Sequence, residues 1–438
     1  MTVELNPVGI KCNLACTYCY ETEMRDAGNY GPKDYDLATM QAGLLAELGQ
    51  PTGGSWTLHG GEPLLMPIDD IAAMWAWGRE HQQALGVQTN GALITDAHIA
   101  LAKRYNVHIG ISIDGPGALN DLRWQGTLDK TRAATAASER AIVALRAAGV
   151  GTSVIIVLHR LNMAIAQREV FKAWIHTLDQ LGVSGVRFHP MELDGKAVEH
   201  QPTIEDYVSF YLDMHETMHS CRVLKIDLLE DIHHLMRGED QHATCTWNKC
   251  DPYTTAAVQG VGGDGARSNC GRTNKDGVAH PKADRPGYER YVALYHTPLQ
   301  AGGCQGCRFF ALCAGQCPGE GMDGDWRNRS MYCGLYYALF EAEEARMLAV
   351  GQVPFSQAPD RPAVEQRLLA AWARGERIAV HQARTAVAAP SVASSNVPHG
   401  DEHGDHTDTV QPVRTHGDSH DDDCRGCHGD EHGDHTDQ

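Results

Sequence analysis

The chain has 438 residues, of which 42% are hydrophobic, and a formal net charge of −19. At roughly 100 to 200 residues per domain, this length predicts two or three domains with enough apolar residues for a sizeable core. The sequence lacks an apolar run of about 18 residues, a secretory leader and clustered Lys and Arg, so we expect a cytoplasmic protein that binds neither membrane nor nucleic acid.

Short β-branched runs alternate with helical segments along the first 200 residues. The predicted strands cover residues 3–7, 55–59, 87–90, 108–113, 152–158 and 186–189. The predicted helices cover residues 37–48, 68–85, 95–105, 130–148 and 163–181. This alternation predicts an α/β fold in which residues 1–200 form a partial (β/α)6 TIM-like barrel. In such folds the functional residues lie on the loops that follow the strands.

Three cysteines follow the first predicted strand in the spacing C-x3-C-x2-C: Cys12, Cys16 and Cys19. Three thiolates on one short loop can bind three irons of a [4Fe–4S] cluster and leave the fourth iron open for reaction. A zinc site or buried free thiols are the alternatives, although zinc sites usually pair two C-x2-C knuckles or add His.

This loop resembles that of the radical S-adenosylmethionine (SAM) superfamily, whose members carry an aromatic residue before the last cysteine, as Tyr18 does here. The resemblance covers roughly residues 1–200. It implies that the open iron binds the amine and carboxylate of SAM. One electron from the cluster would then cleave SAM to a 5′-deoxyadenosyl radical.

Glycines and polar residues follow the next three predicted strands. By themselves they are also typical of ordinary turns and caps, although the glycines allow close backbone approach and a Glu can accept hydrogen bonds from an ammonium group. The family resemblance implies SAM contacts from Tyr18, Gly60, Gly61, Glu62, Asn90, Ser112 and Asp114. Arg123 is a candidate for the SAM carboxylate, but its spacing to Gly126 departs from the family pattern. The sequence assigns no catalytic acid or base.

Residues 201–244 are predicted to be a linking helical segment in which Cys221 is a plain, buried or partly buried thiol. From residue 245 the chain becomes rich in Gly, Cys and turn residues. Eight cysteines follow: Cys245, Cys250, Cys270, Cys304, Cys307, Cys313, Cys317 and Cys333. Eight thiolates can form two sets of four, each suited to a closed [4Fe–4S] cluster that carries electrons, with zinc as the alternative.

The order G-x4-C, then C-x2-C-x5-C-x3-C, then a distant Cys resembles the SPASM extension of peptide-modifying radical SAM enzymes, here over residues 245–340. The resemblance implies interleaved ligands. One auxiliary cluster would take Cys245, Cys250, Cys270 and Cys317, and the other would take Cys304, Cys307, Cys313 and Cys333. The expected cofactors are therefore SAM and three [4Fe–4S] clusters.

The residue after Cys270 indicates which peptide modification to expect. In anaerobic sulfatase-maturing relatives an Asp follows the third-position cysteine and acts as a base, whereas Gly271 stands there in this chain. The segment HGGEPLL at residues 59–65, together with the spacing of the eight later cysteines, resembles more closely the sequences of maturases. These enzymes crosslink ribosomally made peptides through thioether or carbon–carbon bonds. The alternatives are sulfatase-maturase-like oxidation of Cys or Ser, a radical SAM reaction on a small molecule, and a non-enzymatic iron–sulfur protein for metal trafficking.

A peptide maturase of this kind implies several partners. These are a precursor peptide and an electron donor such as flavodoxin or ferredoxin. Nothing like a winged-helix leader-binding domain precedes the barrel, so we expect the leader peptide, if one is needed, to be bound by a separate protein or by the SPASM region.

The last part of the chain divides at about residue 390. Helices are predicted at 332–350 and 364–373, with residues 341–390 as C-terminal helices and 391–438 as a disordered tail. Ten Asp and two Glu against two Arg give this tail a charge of −10 and leave −9 for the rest. It repeats HGDEHGDHTD at 399–408 and 428–437 and contains Cys424 and Cys427. A solvated tail is the favoured interpretation, with metal capture or a fused substrate segment as alternatives.

Overall fold

The computed structural model describes residues 2–31, 34–192, 198–273 and 282–388. The predicted tail, with its repeats and its two cysteines, lies outside the described residues. Among the described helices, none combines the length and apolarity needed to cross a membrane.

The strands of the described residues form one sheet. They are β1 (Thr2–Asn6), β2 (Ser55–Leu58), β3 (Ala84–Thr89), β4 (Val107–Ser112), β5 (Thr152–Leu158), β6 (Gly185–Pro190), β7 (Lys225–Ile226), β8 (Val258–Gly262) and β9 (Arg267–Ser268). Their order is β7-β6-β5-β4-β3-β2-β1-β8-β9, and all neighbours are parallel except β8 and β9. The predicted α/β fold with a partial parallel barrel and a Cys-rich region is confirmed.

The described helices are α1 (Thr22–Asp26), α2 (Leu37–Leu48), α3 (Ile68–Glu80), α4 (Asp96–Arg104), α5 (Leu128–Ala147), α6 (Arg160–Met163), α7 (Arg168–Gln180), α8 (Ile204–His219), α9 (Asp227–Met236), α10 (Glu289–His296), α11 (Phe310–Cys313), α12 (Cys333–Ala349), α13 (Arg361–Trp372) and α14 (Val380–Ala388). Hydrogen bonds from capping side chains explain where several of these helices begin. The Asp36 side chain, for example, accepts a hydrogen bond from the Thr39 backbone nitrogen at 2.7 Å and thereby begins α2.

The two faces of the barrel strands differ in polarity. On β1 the side chains of Val3 and Leu5 are fully buried in the hydrophobic core, whereas Glu4 between them lines an internal cavity. The same alternation holds on β6, where Val186 and Phe188 are buried and the two polar residues beside them line the cavity. Because successive side chains of a strand point to opposite faces, the apolar face packs on the helices and the polar face surrounds a binding space.

The Cys-rich region is joined to the barrel through backbone pairing. Strand β8 lies in the sequence between Cys250 and Cys270 and pairs with β1 in parallel register, Thr2 opposite Val258. The sheet therefore continues past the predicted boundary at residue 245. In this register the chain enters β8 from the Cys250 side at the Thr2 end of β1, and the antiparallel strand β9 returns it toward that end before Cys270.

The structure differs from the sequence predictions in a few elements. The single helix predicted at 163–181 is interrupted, because Ala164 adopts an extended conformation between α6 and a short 3-10 turn that leads into α7. The helix predicted at 68–85 ends at Glu80, since the chain turns through a left-handed Gln82 to start β3. The segment 201–244 contains the two-residue strand β7 in addition to its helices.

Candidate functional site

One cavity of about 740 Å³ occupies the polar side of the barrel sheet. Its lining comes from each of the strands β1 to β6, from the loop after β1 and from the Cys-rich region. The thiol-bearing residues that line it are Cys12, Cys16, Cys19, Cys245 and Cys270. Thus the structure brings the first cysteine loop and part of the second cysteine set to one cavity.

Backbone contacts hold the first cysteine loop against the turn that follows β2. The nitrogen of Gly61 donates to the carbonyl of Gly9 at 2.9 Å, and that of Glu62 donates to the carbonyl of Lys11 at 2.8 Å. A Cβ on Gly61 would lie 2.2 Å from the Lys11 oxygen, and Gly60 has a φ of +104°. Glycine is therefore required at both positions, because any side chain would push the cysteine loop away.

Glu62 is fully buried and ties the ends of β2 and β3 together. Its carboxylate accepts hydrogen bonds from the Leu64 nitrogen at 3.0 Å, the Thr89 hydroxyl at 2.7 Å and the Asn90 nitrogen at 2.8 Å. Burial raises the pKa of Glu62, while these hydrogen bonds oppose the rise. Glu62 is not among the cavity-lining residues, unlike Gly60 and Gly61, so its predicted contact with the SAM ammonium stays a prediction.

The predicted polar contacts after β3 and β4 line the cavity. The Asn90 side chain donates to Asn13 Oδ1 at 2.7 Å and reaches the Cys12 sulfur at 3.9 Å. The backbone nitrogen of Leu14 is 3.4 Å from the same sulfur. Ser112 also lines the cavity and accepts a hydrogen bond from Gln88 at 2.7 Å. Both predicted residues are therefore placed where a ligand of the cavity could reach them.

Asp114 lies behind the cavity wall in a buried polar cluster. It accepts hydrogen bonds from the Tyr18 hydroxyl, from Arg123 at 2.9 Å and from the Val157 nitrogen at 3.0 Å. Tyr18 and Arg123 line the cavity, whereas Asp114 is fully buried. The structure thus places Asp114 as a support for these two residues. Its predicted contact with SAM stays untested.

Two backbone hydrogen bonds fix the other side of the cysteine loop. The nitrogens of Ala15 and Thr17 donate to the carbonyls of Trp124 and Leu122 at 2.7 and 2.9 Å. Arg123 lies between those two acceptors, and its Nε is buried without a hydrogen-bond partner among the described residues. The spacing of Arg123 to Gly126 did not favour Arg123 as a site residue, but the structure places its guanidinium beside the cysteine loop.

The eight thiols of the Cys-rich region lie in two groups. In one, the pKa of Cys250 is raised to about 12 by burial first and then by Cys317 and Cys245, and the pKa of Cys270 is raised by burial and by the same two neighbours. In the other, burial and then Cys333, Cys304 and Cys307 raise the pKa of Cys313. We call these the Cys250 group (Cys245, Cys250, Cys270, Cys317) and the Cys313 group (Cys304, Cys307, Cys313, Cys333). Their role as cluster ligands stays a prediction.

The thiols suit iron–sulfur chemistry in kind and environment. Burial raises the pKa of Cys16 to about 12, with smaller contributions from Cys19 and Cys12, and Arg123 opposes the rise. A buried thiol that is hard to ionise alone becomes a thiolate when a metal ion replaces its proton. In the described part of the chain, no three His, Cys, Asp or Glu side chains converge on a position for a single metal ion. In a [4Fe–4S] cluster each thiolate binds its own iron, so convergence on one point is not required.

Cys221 lies apart from these groups. It follows the end of α8, is partly buried, and its sulfur is 3.5 Å from the Thr217 carbonyl and 3.9 Å from a His176 ring nitrogen. The expected plain thiol is consistent with this position.

The cavity has a basic wall that the sequence interpretation missed. Arg187 and His189 project from β6, and Arg272 follows Cys270. Burial, and after it the charges of Arg272 and Arg187, lower the pKa of His189 to about 3, so the imidazole is neutral. Arg272 pairs with Glu192 at 2.5 Å and with Glu320 at 2.6 Å. The sequence did contain a signal for Arg187 and His189. Polar and apolar residues alternate from Val186 to His189, which predicts a strand with one polar face.

Gly271 also lines the cavity. A Cβ at this position would lie 3.2 Å from a ring carbon of Tyr20 and 3.6 Å from a carboxylate oxygen of Glu21. Position 271 therefore faces the cavity without offering a side chain to it.

Comparison with known proteins identifies the first part of the chain. Residues 6–167 match the radical SAM superfamily. The chain is 33% identical over 132 residues to a serine-type anaerobic sulfatase-maturating enzyme of Bacteroides thetaiotaomicron, which is 27% of this chain and 30% of that enzyme. It is 27% identical over 203 residues to the enzyme of that description from Klebsiella aerogenes, covering 44% and 47% of the two chains. The alignments thus span less than half of either enzyme.

Two further comparisons cover more of the chain. An uncharacterized protein of Synechocystis is 27% identical over 354 residues, which is 73% of this chain and 83% of that protein. The solved structure described as native anSMEcpe with bound AdoMet and Cp18Cys peptide superimposes with a TM-score of 0.60 at 19% identity, covering 80% of this chain and 98% of that one. Residues 6–167 are therefore similar to the radical SAM superfamily, and the fold shared with the solved structure extends beyond them into the Cys-rich region.

Proposed function

We propose that this protein is a radical SAM peptide maturase, an oxidoreductase that abstracts hydrogen from a peptide residue and forms a thioether or carbon–carbon crosslink in a ribosomally made precursor. The observation that carries this proposal is the shared cavity. Cys16 from the first loop and Cys245 and Cys270 from the Cys250 group line the same space of about 740 Å³.

Three sets of thiols would hold the clusters. Cys12, Cys16 and Cys19 would bind the SAM cluster, and the Cys250 and Cys313 groups would bind two auxiliary [4Fe–4S] clusters. When bound, these groups supply the electron that cleaves SAM to a 5′-deoxyadenosyl radical and accept the electron released as the product bond closes.

The protein's own residues position and enclose the reactants. The backbone of Gly60 and Gly61 and the side chains of Tyr18, Asn90 and Ser112 would orient SAM, with Glu62 and Asp114 fixing this wall from behind. A guanidinium such as that of Arg123 suits a carboxylate ligand. The barrel strands surround the reaction space, which keeps a carbon radical away from bulk water and side reactants.

A peptide substrate is supported by the comparison structure, since that protein was solved with a peptide bound. We further propose a flavodoxin or ferredoxin as electron donor and, where a leader peptide is present, either a separate leader-binding protein or the Cys-rich region as its binding site. These partners follow from the proposed chemistry, because SAM cleavage consumes an electron and a precursor must be selected.

The first test is anaerobic reconstitution followed by addition of SAM and reductant. We expect 5′-deoxyadenosine from the intact protein, none from Cys16→Ala, and about twelve irons per chain. Cys245→Ala should lose about four irons, while Cys221→Ala should lose none. If the intact protein forms no 5′-deoxyadenosine, the result favours a metal-trafficking protein instead. An iron content of about four per chain would contradict the proposal of two auxiliary clusters.

The second candidate function is oxidation of a Cys or Ser residue to an aldehyde, which the names of the sulfatase-maturating relatives favour. Gly271 disfavours it, because no carboxylate stands at that cavity position. Serine oxidation and crosslinking both remove two hydrogens from the peptide, so mass alone does not separate them. A short precursor encoded beside this protein should be converted and then treated with hydroxylamine. Oxime formation would identify the aldehyde, whereas an unreactive product that resists sequencing across two residues would identify the crosslink.

A further inference from the structure

Two imidazoles of the described residues line the cavity, and their surroundings differ in charge. His189 lies two residues after Arg187 on β6, so both side chains lie on the same face of the sheet as Arg272, which also lines the cavity. The His59 ring faces a carboxylate instead, since its Nε2 is 3.9 Å from Oε1 of Glu4. Glu4 is therefore placed to stabilise a proton taken up by His59, whereas the guanidiniums repel one from His189.

The sheet register explains why Glu4 and His59 meet. Glu4 is opposite Thr57 of β2, and His59 follows two residues later on the same face. The backbone nitrogen of His59 donates to the carbonyl of Leu5 at 2.8 Å, which holds this residue against β1. The side chains of His59 and Glu4 line the cavity and are 24% and 25% exposed. They are thus fixed by the strands and still open to a molecule in the cavity.

Carboxylates face His59 from other elements as well. Glu21, which follows the first cysteine loop, and Glu62, which follows β2, both interact with the charge of His59. Glu21 accepts a hydrogen bond from Tyr20, and Glu62 accepts from Thr89 and from two backbone nitrogens. These two residues can therefore stabilise a protonated His59 while their own oxygens stay engaged.

We propose that His59 is the catalytic base of the crosslinking reaction and that Glu4 is a positioning residue that orients its ring and stabilises the imidazolium. The inference deepens the proposed function and rests on it. A base is needed in the cavity, because Gly271 offers no side chain for this purpose. General bases of this kind contribute about 100- to 10,000-fold to a rate.

The proton and the electron of the reaction are both accounted for. Removal of a hydrogen atom leaves a radical on a peptide carbon. When this carbon bonds to a thiol sulfur or to a second carbon, the S–H or C–H bond of that partner breaks and releases one proton and one electron. His59 accepts the proton, and the electron passes to the auxiliary clusters of the proposed function.

The test measures the amount of crosslinked peptide per 5′-deoxyadenosine. The anaerobically reconstituted protein receives SAM, reductant and the short precursor encoded beside it, in saturating amount so that weaker peptide binding is not the cause of a loss. In His59→Gln, 5′-deoxyadenosine should still form, because hydrogen abstraction precedes the proton transfer. The ratio should fall about 100-fold or more. Glu4→Gln should lower it less. The matched control is His108→Gln, since His108 is an exposed residue of β4 outside the cavity.

A second measurement tests contact with the peptide without turnover. The reconstituted protein is treated with diethyl pyrocarbonate in the presence of SAM and without reductant, and mass spectrometry locates the acylated imidazoles. We expect the precursor to slow the acylation of His59 and to leave that of His108 unchanged. Equal acylation of His59 with and without the precursor would overturn the proposal.

Crosslinking by the intact protein is the reference for each variant. If the intact protein forms 5′-deoxyadenosine but no crosslinked precursor, the proposed function fails and this inference fails with it. If the intact protein crosslinks the precursor and His59→Gln does so at an unchanged ratio, only this inference fails. A fall in Glu21→Gln without one in His59→Gln would assign the base to the carboxylate beside position 271. Should His59→Gln not load iron, the acylation of His59 in the intact protein decides.

Discussion

The Glu62 carboxylate accepts a hydrogen bond from the backbone nitrogen of Asn90 at 2.8 Å, which joins the turn after β2 to the end of β3. The side chain of Asn90 in turn reaches the sulfur of Cys12. Glu62 thus supports the cysteine loop from behind the cavity wall.

Replacing Glu62 by Gln should therefore destabilise the protein. One carboxylate oxygen accepts from Leu64 and Thr89 and the other accepts from Asn90, so a Gln amide would set one N–H group against a backbone N–H. Leaving a buried donor unsatisfied costs about 1–3 kcal/mol. Urea denaturation of the iron-free protein would show a lower midpoint at an unchanged slope. A wild-type midpoint would mean that the carboxylate is dispensable for this wall.

Gly61→Ala should displace the first cysteine loop. The added Cβ would lie 2.2 Å from the Lys11 carbonyl oxygen and 2.5 Å from that of Ile10, and such backbone atoms leave little room to relax. We expect loss of about four irons per chain and of 5′-deoxyadenosine formation. Gly185→Ala is the matched control, since nothing lies within 4 Å of a Cβ there. Full iron content in Gly61→Ala would show that the close approach is not required.

The Arg123–Asp114 pair should be far more important for stability than the Arg132–Asp121 pair. The first pair is 2.9 Å apart with side chains 9% and 0% exposed, while the second has side chains 46% and 23% exposed. Arg123→Met leaves a buried carboxylate uncompensated, at a cost of about 3–5 kcal/mol. Arg132→Met should cost below about 1 kcal/mol. Denaturation of both variants measures the difference, and equal costs would contradict the burial argument.

His159 should make the protein sensitive to acid. Burial lowers its pKa to about 4, and its neutral ring accepts a hydrogen bond from the Asn162 nitrogen at 3.3 Å at the start of α6. Between about pH 6.5 and pH 4 the unfolded chain binds this proton and the folded chain does not. Stability is therefore lost as the pH falls through this range, by up to about 1.4 kcal/mol per pH unit.

Substitution with Asn tests this assignment. Asn is a good N-cap residue that does not titrate, so His159→Asn should keep α6 and flatten the loss of stability below about pH 6.5. The free energy of unfolding of the iron-free protein, measured by urea at a series of pH values, gives the slope. His189 titrates in the same direction, so part of the slope should remain. Identical slopes in the two proteins would contradict the role of His159.

Features that depend on local spacing could be predicted from the amino-acid sequence alone. Three such features were predicted: the C-x3-C-x2-C loop, the alternation of strands and helices, and the closely spaced cysteines from Cys304 to Cys317. Each is a pattern formed by residues that lie near one another along the chain. Strand β5 and helix α2 have their predicted bounds, Thr152–Leu158 and Leu37–Leu48. In these segments the periodicity of the side chains and the local caps agree with the tertiary contacts.

The side chains that reach the cavity, and those that lie behind its wall, could be identified only from the folded structure. Glu62 and Asp114 are acidic residues that follow a strand, as expected of residues that contact a ligand. In the structure both are fully buried and have several hydrogen-bond partners. The pairing of β8 with β1 joins the Cys-rich region to the barrel, and Cys245 and Cys270 line the cavity of the first cysteine loop. These relationships join residues far apart in the chain, so they depend on which strand ends meet, and spacing along the sequence carries no information about that.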